Sequence, residues 1–421
     1  MSDGFSTDRF MNKKQIKLAF LGNMNNFPFN NARKLKERGW NITFYTDVPK
    51  AFLLDRPESI LKISELPDWV SELNIEHHRR KQFIKMLLPR LTYSRTIKLL
   101  NQHDVVFLNG EWIKLAPYIK SGKLVMGLFA GIDLESADYD KIDEYATASV
   151  KNKKTLVPKA LYKILWRRLI SAQIRGVRRV DTVNYYLPGV NPQGERVLEK
   201  QKKGQKYLRL PLRGVETSDF PYMAHADLNG KFIILNTTRF NFTVQRNDNK
   251  RNDLMIEGIA KFIKENNISK EQLECVFFAK GNLQEAKELC TARGLDPFIS
   301  WQDQVPVADL KQFMARCHAS FDQLGVQWIG AGGIYSMLVG RPVICNYRPE
   351  LFDKFLKVKA PICQAVNADD VADWLTQLYL NRQKVHDIGI ASRNFILEYM
   401  NIERDVDFYE NVLKQVFHIS E

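Results

Sequence analysis

The chain has 421 residues, 45% of them hydrophobic and 26% charged, which are the proportions of an ordinary globular protein. This length exceeds what one hydrophobic core organises and favours two or three domains. No apolar run approaches the roughly 18 residues that span a membrane, and the polar residues 1–14 lack the apolar segment of a secretory signal.

The formal net charge of +14 comes from two segments. Residues 77–100 contain seven Lys and Arg and no acid, and residues 151–180 contain ten and no acid. These charges exceed the total, so the rest of the chain sums to −3. The basicity is therefore a local feature.

The five cysteines show neither metal-ligand nor disulfide-frame spacing. They are predicted to be reduced thiols, mostly in the core of a cytoplasmic protein. The histidines, including the adjacent His77 and His78, have no acid or cysteine at a useful spacing. They are predicted to lie on the surface, and no metal site is expected.

The predicted elements begin after a disordered leader, residues 1–14. Residues 16–21 form a buried strand, 22–26 a turn of glycine and asparagine, 30–37 a helix and 41–46 the next strand. In such a βαβ unit, ligands bind at the carboxyl end of the first strand. The turn lacks the GxGxxG pattern of dinucleotide-binding proteins, so a dinucleotide site is weakly supported.

A first series of strands and helices continues to a loop-like stretch at residues 212–229, where we place the domain boundary. Its further strands are predicted at 104–108, 124–129, 182–187 and 207–210. A second series follows. Its first strands are 232–236, 274–279 and 298–301, and its helices are 253–264, 283–293, 306–316 with Pro306 at the first position, 368–379 and 405–416.

A glycine-rich stretch in the second series carries the clearest chemical signal. Strand residues 319–321 precede four glycines, then a small apolar helix at 334–339, a helix stop at Gly340 and a strand at 342–345. Gly332 and Gly333 stand at the helix start, where free N–H groups and the helix dipole attract anions. The alternative is a glycine turn that only connects two elements.

Two consecutive alternating series predict an α/β protein of two Rossmann-like, doubly wound domains facing a cleft. The predicted limits are residues 15–220 for the first domain and 221–400 for the second. Residues 401–421 are expected to form a helix that packs back on the first domain.

Four segments, in this order and spacing, resemble the family-4 retaining glycosyltransferases of the GT-B fold over residues 16–417. They are GNMNNFPFNNARKLKERGW, LRLPLRGVETSDF, the run from Thr238 to Lys264 with Arg239 and KRNDLMIEGIAKF, and YSMLVGRPVICN, which is similar to the family's EAMAxGxPVI segment. The resemblance implies sugar transfer, with retention, from a nucleotide-sugar donor to a glycan or lipid-linked glycan acceptor. It also implies bacterial cell-surface polysaccharide biosynthesis as the setting, with no cofactor or metal.

Arg239 and Lys250 are the predicted catalytic cations. A nucleotide-sugar donor leaves a diphosphate behind, and fixed cations must meet its developing charge. Arg239 follows a predicted strand and Lys250 precedes a predicted helix, so with the Gly332 and Gly333 amides they would form a three-sided pocket. The alternative is a set of solvated loop cations, since Arg246 and Arg251 lie nearby.

The expected donor-binding residues are Gln327, Gly332, Gly333, Ile334 and Tyr335. Gln327 and Tyr335 align with the family's Glu-x7-Glu pair, whose second carboxylate typically accepts hydrogen bonds from the donor ribose. A phenol cannot offer the two acceptors of a carboxylate. This departure favours a second hypothesis, a GT-B-fold protein that binds or scaffolds glycans without turnover.

On the acceptor side the candidates are Gly22, Asn23 and Glu111, with Asp133 as a further catalytic residue. Ala130 stands where the family often has a histidine, although Gly131 and Asp133 fit the pattern. Glu111 and Asp133 are alternatively capping or loop carboxylates, and Asn23 is alternatively a turn residue with positive φ. A sugar-nucleotide epimerase is a third hypothesis, without an identifiable acid/base pair.

The two basic segments raise the question of a membrane. In KALYKILWRRLI, Leu161, Leu165 and Leu169 recur every four residues with Trp166 beside them, which predicts a basic amphipathic helix. It would attach the protein to the anionic inner face of the cytoplasmic membrane, at about 1 kcal/mol per basic residue. The alternative is a helix packed on its domain with a solvated cationic face. No nucleic-acid motif accompanies these charges.

Overall fold

The computed structural model describes residues 12–47, 55–73, 88–129, 134, 137–153, 158–185, 189–201, 208–209, 213–225, 227–242, 249–325 and 328–419. The chain divides into two compact units. The first unit is Met1–Gly214 together with Ile402–Glu421, and the second unit is Val215–Asn401.

The first unit is built on a parallel seven-stranded sheet in the order β3-β2-β1-β4-β5-β6-β7. Its strands are mostly buried apolar runs, as expected for a parallel sheet covered on both faces. They are β1 (Lys17–Leu21), β2 (Asn41–Thr46), β3 (Val70–Glu72), β4 (Val105–Asn109), β5 (Leu124–Leu128), β6 (Thr182–Tyr185) and β7 (Leu208–Arg209).

The described α-helices of this unit are Phe27–Glu37, Pro57–Leu61, Pro89–Thr92, Ser94–Leu100, Ile142–Lys153, Lys159–Arg179, Pro192–Gln201 and Glu403–Phe417. We call Lys159–Arg179 the basic helix and Glu403–Phe417 the C-terminal helix. A 3-10 helix, Gly110–Tyr118, directly follows β4.

The second unit contains a parallel six-stranded sheet in the order β10-β9-β8-β11-β12-β13. Its strands are β8 (Phe232–Asn236), β9 (Leu273–Phe278), β10 (Ile299–Gln302), β11 (Ala319–Phe321), β12 (Val343–Cys345) and β13 (Cys363–Gln364). The described α-helices are Asn252–Glu265, Leu283–Ala292, Val307–Arg316, Ala331–Val339, Pro349–Leu356, Ala368–Leu380 and Arg382–Tyr399. We call Ala331–Val339 the glycine helix.

The C-terminal helix belongs to the core of the first unit. Val406, Tyr409 and Leu413 are fully buried there, and the Tyr409 ring meets Phe107 of β4 edge-on at 5.5 Å. Arg38 adds ion pairs to Glu403, Asp407 and Glu410, among other contacts. The helix therefore completes a hydrophobic layer that the first 214 residues leave open.

Most predicted elements are present, with ends that differ by one to three residues. Pro306 is the residue before helix Val307–Arg316 and not its first position. The sequence analysis missed β3, β13 and several helices, including Arg382–Tyr399. Residues 1–11 lie outside the described part, whereas Lys13 forms an ion pair with Glu410, so the predicted leader ends before it.

Candidate functional site

Each sheet has one point where the strand order reverses. In the first unit this point lies between β1 and β4, and in the second unit between β8 and β11. Open α/β sheets bind ligands at the carboxyl ends of the strands flanking this point, because the loops there diverge to opposite faces. The loops after these four strands are therefore the places to look for a site.

In the second unit the glycine helix begins at this reversal point. Gly330 is the N-cap, and the first intrahelical bond runs from Ile334 N to Gly330 O at 3.1 Å. The N–H groups of the first turn, which includes Gly332 and Gly333, have no acceptor within the helix itself. Together with the helix dipole they make an end suited to an anion.

The two glycines also let the helix start pack closely on its neighbours. A Cβ on Gly332 would lie 2.5 Å from Oγ1 of Thr237, which follows β8, and a Cβ on Gly333 would lie 2.7 Å from Oδ2 of Asp322. The pair therefore brings the first turn of the helix against the ends of both β8 and β11. The sequence analysis anticipated access for an anion but not this contact.

Asp322, the residue after β11, was missed by the sequence analysis. Its carboxylate is buried and accepts a hydrogen bond from the backbone N–H of Gly330. Burial raises its pKa above the usual value, while the Gly330 N–H and the positive charge of Lys250 act in the opposite direction. An acid directly after a buried strand of the glycine-rich stretch was the signal available in the sequence.

Lys250 is held at the same place. Its ammonium donates to Oε1 of Gln323, and its carbonyl accepts the N–H groups of Leu324 at 3.0 Å and Gly325 at 3.2 Å. Lys250 and the loop after β11 are thus tied together by backbone and side chain. The predicted pocket of Lys250 with the Gly332 and Gly333 amides stays a prediction.

Arg239 lies three residues after β8, at the same sheet edge, and its side chain is exposed. The Cγ of Arg239 lies 2.9 Å from where a Cβ on Gly281 would be. Its guanidinium forms no hydrogen bond to a described residue. Arg251 pairs with Asp253 at 3.0 Å. The three-sided pocket therefore stays a prediction, and Arg246 lies outside the described residues.

Two of the remaining donor-side candidates, Ile334 and Tyr335, are not at the surface. Ile334 is buried, and the buried Tyr335 ring stacks on Phe220 with ring centres 4.2 Å apart and planes within 4°. Gln327 lies outside the described residues. Tyr335 thus occupies an aromatic layer in the second unit, and a role for its ring in ribose recognition stays a prediction.

In the first unit the loop after β1 is held by its own asparagines. Gly22 has φ +91°, and a Cβ there would meet Trp112 Cδ1 at 2.8 Å. The Asn23 amide donates to Asn26 Oδ1 at 2.7 Å and to the Asp55 carbonyl at 2.8 Å. Asn23 has φ −141°, and the positive values belong to Asn25 and Asn26, so the proposed positive-φ role of Asn23 was wrong.

Asp47, which follows β2, is a second carboxylate that the sequence analysis missed. It is buried, its Oδ2 accepts from Trp112 Nε1 at 2.8 Å, and burial raises its pKa to about 6. Tyr93 meets the Trp112 ring edge-on at 5.1 Å. Glu111 is exposed beside Lys114 at 3.5 Å, whereas Asp133 and Ala130 lie outside the described residues. Among the described residues, polar and acidic groups lie near this reversal point, with Arg213 as a cation beside Phe27 and the Phe129 carbonyl.

The predicted amphipathic helix is present, but its leucines are not in one environment. Leu161 is 47% exposed, Leu165 is half-buried and Leu169 is buried, while Ile164 is 51% exposed. Trp166 does not face outward: it packs on Tyr145 and donates to Ser149 Oγ at 3.0 Å. The exposed apolar patch is therefore confined to the first turns of the basic helix.

The helix register indicates where that patch lies. Gln173 donates to the carbonyl of Gly110, and a Cβ on Gly176 would overlap the carbonyl of Ile113. Gly176 of the basic helix therefore lies beside Ile113. Gln173, which is nearer the N-terminus of the helix, lies beside Gly110, the residue that directly follows β4. An α-helix rises about 1.5 Å per residue, so Leu161 lies about 18 Å further along the helix axis than Gln173. This places Leu161 on the carboxyl side of the sheet. No described helix is both long and apolar enough to cross a membrane.

The cysteine prediction is confirmed, because all five are buried and free. The histidine prediction is wrong for two residues. His103 and His318 are buried, and the Nδ1 of His318 accepts the N–H of Ile233 at the start of β8. Apolar sequence on both sides of His318 was the available signal.

Comparison with known proteins identifies the fold. Sucrose-phosphate synthase from Thermosynechococcus elongatus matches with a TM-score of 0.65 at 12% identity, covering 96% of this chain and 100% of that one. HepE from Anabaena, in complex with UDP-glucose, matches with a TM-score of 0.61 at 12% identity over 95% and 100%. WaaG, a glycosyltransferase involved in lipopolysaccharide biosynthesis, gives 0.57 at 13% identity over 93% and 99%.

These matches extend over nearly the whole chain and show that it has the GT-B fold. The predicted fold class is therefore confirmed. No protein-family model matches the sequence, and no curated protein matches it at a significant level.

Proposed function

We propose that this protein is a nucleotide-sugar-dependent glycosyltransferase. The observation that carries the proposal is that the glycine helix begins at the reversal point between β8 and β11, with Lys250 bonded to the loop that leads into it. HepE, which has the same fold, is known in complexes with UDP and with UDP-glucose. Helix N–H groups and a lysine are suited to the diphosphate of such a donor.

The chemistry follows from where charge develops. As the bond between the sugar and the diphosphate breaks, negative charge grows on the leaving oxygen, and fixed donors stabilise it without reorganising. Lys250 and the N–H groups of the glycine helix would supply that stabilisation, with Arg239 as a second cation. We propose transfer with retention, in which the diphosphate helps to deprotonate the acceptor hydroxyl, and we propose that no metal ion is needed.

For the acceptor we propose a glycan or lipid-linked glycan used in bacterial cell-surface polysaccharide assembly on the cytoplasmic face of the membrane. The first unit supports this with exposed apolar side chains set among cations, Leu161 and Ile164 in one basic segment and Leu88 and Leu91 in the other. Because Asp143 pairs with Lys163, Arg167 and Arg168 would supply much of the attraction to anionic lipid. Residues 77–87 lie outside the described part.

The donor proposal is tested by calorimetry and thermal shift with UDP, GDP, dTDP, ADP and CMP. We expect one nucleoside diphosphate to bind the wild type and to lose at least about tenfold in affinity in Lys250→Ala and in Arg239→Ala. Lys270→Ala is the matched control, because Lys270 is an exposed lysine of the same unit just before β9, at the opposite edge of the sheet. Equal binding by all four proteins would reject these residues as the donor pocket.

The membrane proposal is tested by co-sedimentation with vesicles of phosphatidylglycerol and phosphatidylcholine. The double variant Leu161→Ser/Ile164→Ser should lose binding to anionic vesicles. Leu380→Ser is the control, since Leu380 is 71% exposed in the second unit. Binding that persists in the double variant, or that ignores the anionic lipid, contradicts this part of the proposal.

A GT-B-fold protein that binds glycans without turnover is the second candidate. The buried stacking of Tyr335 on Phe220 favours it, because no carboxylate stands at the position where the family's second glutamate occurs. Glycan binding with no nucleotide binding by wild-type protein would select this candidate over the transferase.

A further inference from the structure

The N-terminus of the glycine helix already holds an anion, the carboxylate of Asp322. Asp322 Oδ2 accepts the N–H of the N-cap residue Gly330. Its Oδ1 lies 2.9 Å from where a Cβ on Gly330 would be, and its Oδ2 lies 2.7 Å from the same position on Gly333. The carboxylate therefore lies against the first turn, where helix N–H groups favour negative charge.

The groups that face this carboxylate come from three other elements. Lys250, from the segment before helix Asn252–Glu265, is the cation that acts on it. The thiol of Cys345 in β12 is close enough to feel its charge, and Thr237 after β8 contacts the same helix turn through Gly332. Asp322 is only 5% exposed, so water does little to solvate its charge.

We propose that Asp322 is a positioning residue that competes with a bound diphosphate for the helix N-terminus and for Lys250, so that a donor binds together with one proton taken up by Asp322. This inference rests on the proposed function. Without nucleotide, the carboxylate holds the loop after β11 against the helix, and the Lys250 ammonium donates to Gln323, the residue next to Asp322. With a diphosphate at the same helix end, two anions would share one cation.

The proton balance follows from this competition. A second negative charge nearby disfavours the ionised form of a buried carboxyl, because a low-dielectric site screens like charges poorly. Asp322 then takes one proton from solvent, its neutral form still accepts the Gly330 N–H, and Lys250 turns to the phosphate. Affinity for the diphosphate therefore rises as pH falls, by up to about tenfold per pH unit for one linked proton.

The experiment is calorimetry of UDP binding between pH 7.0 and 8.5, each pH measured in two buffers with different heats of ionisation. The buffer dependence of the heat gives the protons taken up per UDP. GDP, dTDP, ADP and CMP are run in the same way, so that the base does not limit the test. We expect wild-type uptake to approach one proton and affinity to fall with rising pH.

Asp322→Asn should abolish the uptake, flatten the pH profile and bind about tenfold more tightly at pH 8.5. Asp322→Ser, which also keeps an acceptor without charge, guards against misfolding of the first variant. Asp405→Asn is the control, since Asp405 is another buried carboxylate, one that accepts the N–H of Gly214 in the first unit. It should leave the uptake unchanged.

Three outcomes decide the inference. Loss of uptake in both Asp322 variants, with the Asp405 control unchanged, supports it. Nucleotide binding with the same pH profile in wild type and the Asp322 variants overturns the role of Asp322 and leaves the donor pocket intact. Absence of binding by any nucleotide, in wild type and variants alike, overturns the donor pocket and the linkage together.

Discussion

The two reversal points of this molecule share a strand order but differ in chemistry. In the first unit, the loop after β1 is filled by its own asparagines, and β4 leads into a 3-10 helix with Pro117 inside it. In the second unit, β11 leads through glycines into a nine-residue α-helix, with Lys250 bound to the connecting loop. At the first point an asparagine side chain accepts an N–H at the start of helix Phe27–Glu37, and at the second point a carboxylate accepts the N–H of the N-cap residue, with a lysine bonded to the loop before it.

The difference separates what topology decides from what the local sequence decides. Topology fixes the sheet edge at which loops diverge. The residues in those loops fix the charge of the ligand that fits. An α-helix starts at the edge in both units, but the side chain at its start differs: Asn23 accepts the N–H of Phe29 in the first unit, and Asp322 accepts that of Gly330 in the second.

Solution pH should separate the two units most strongly. In the first unit, burial raises the pKa of Asp405 to about 7 and that of Asp47 to about 6. The folded state holds these protons more tightly than the unfolded chain, so stability falls as pH rises from about 4 to 7. Asp405→Asn should raise the free energy of unfolding by up to about 4 kcal/mol at pH 8 and by less at pH 5.

For the buried histidines of the second unit the sign is opposite. Burial lowers the pKa of His318 to about 4 and that of His225 to about 3, so the folded state excludes protons that the unfolded chain binds. Stability is full above about pH 6.5 and falls as pH drops toward these values. Calorimetric unfolding should show His318→Gln losing its share of this acid slope, with the share of His225 retained. A parallel response of both variants to pH would contradict the contrast.

Removal of the asparagine network should lower the stability of the first unit only. Asn23→Ala deletes an amide that donates to Asn26 and Asp55 and accepts the N–H of Phe29 at 3.1 Å. We expect a loss of about 2–3 kcal/mol in urea unfolding, because buried partners are left unsatisfied. Asn41→Ala is the control, because the Asn41 amide donates one exposed hydrogen bond to the Lys14 carbonyl, and this variant should change stability little. Altered nucleotide affinity in Asn23→Ala would show that the two points are not independent.

Alanine substitution should destabilise the second unit more at Gly333 than at Gly332. Gly333→Ala puts a methyl group 2.7 Å from a buried oxygen of Asp322, and we expect a loss of about 1–3 kcal/mol together with weaker nucleotide binding. In Gly332→Ala the methyl group meets only the Thr237 hydroxyl, which can rotate, and the gain in helix propensity offsets the contact. Thermal unfolding and nucleotide titration of both variants provide the measurement, and equal losses would contradict the assigned packing.

The smallest effect is expected at Glu111. It is exposed and has one loose ion pair with Lys114, so Glu111→Gln should shift stability by less than about 0.5 kcal/mol and leave nucleotide affinity unchanged. If Glu111 orients the acceptor, the variant should raise the KM for the acceptor only. A change in nucleotide affinity would place this residue on the donor side instead.

Hydrophobic periodicity and glycine positions were sufficient to predict the fold. Buried strands of a parallel sheet are short apolar runs between polar turns, and β2, β8 and β11 are found at the predicted residues. Helix Arg382–Tyr399 was missed because its apolar positions are interrupted by polar residues, and β13 because it has only two residues.

The candidate site was less predictable, because side-chain partners depend on packing between distant segments. Lys250 could be placed before a helix, but its bond to Gln323 needed the fold. Asp322 and Asp47 each follow a strand, like many loop acids, and only burial separates them from solvated ones. Asn23 was predicted as a contact or a turn residue, whereas its amide fastens the loop internally.

The division of the first unit into two stretches of sequence has a consequence for biosynthesis. Residues 215–401 are continuous, so the second unit has its whole sequence before the C-terminal helix is made. Most of the first unit is synthesised first, but it lacks the C-terminal helix, which brings Tyr409 against Phe107, until after the second unit has been made. Since chains emerge from the N-terminus onward, the second half of the polypeptide can complete its core before the first half does. Emergence of the C-terminal helix from the ribosome is then the event that closes the earlier-made unit.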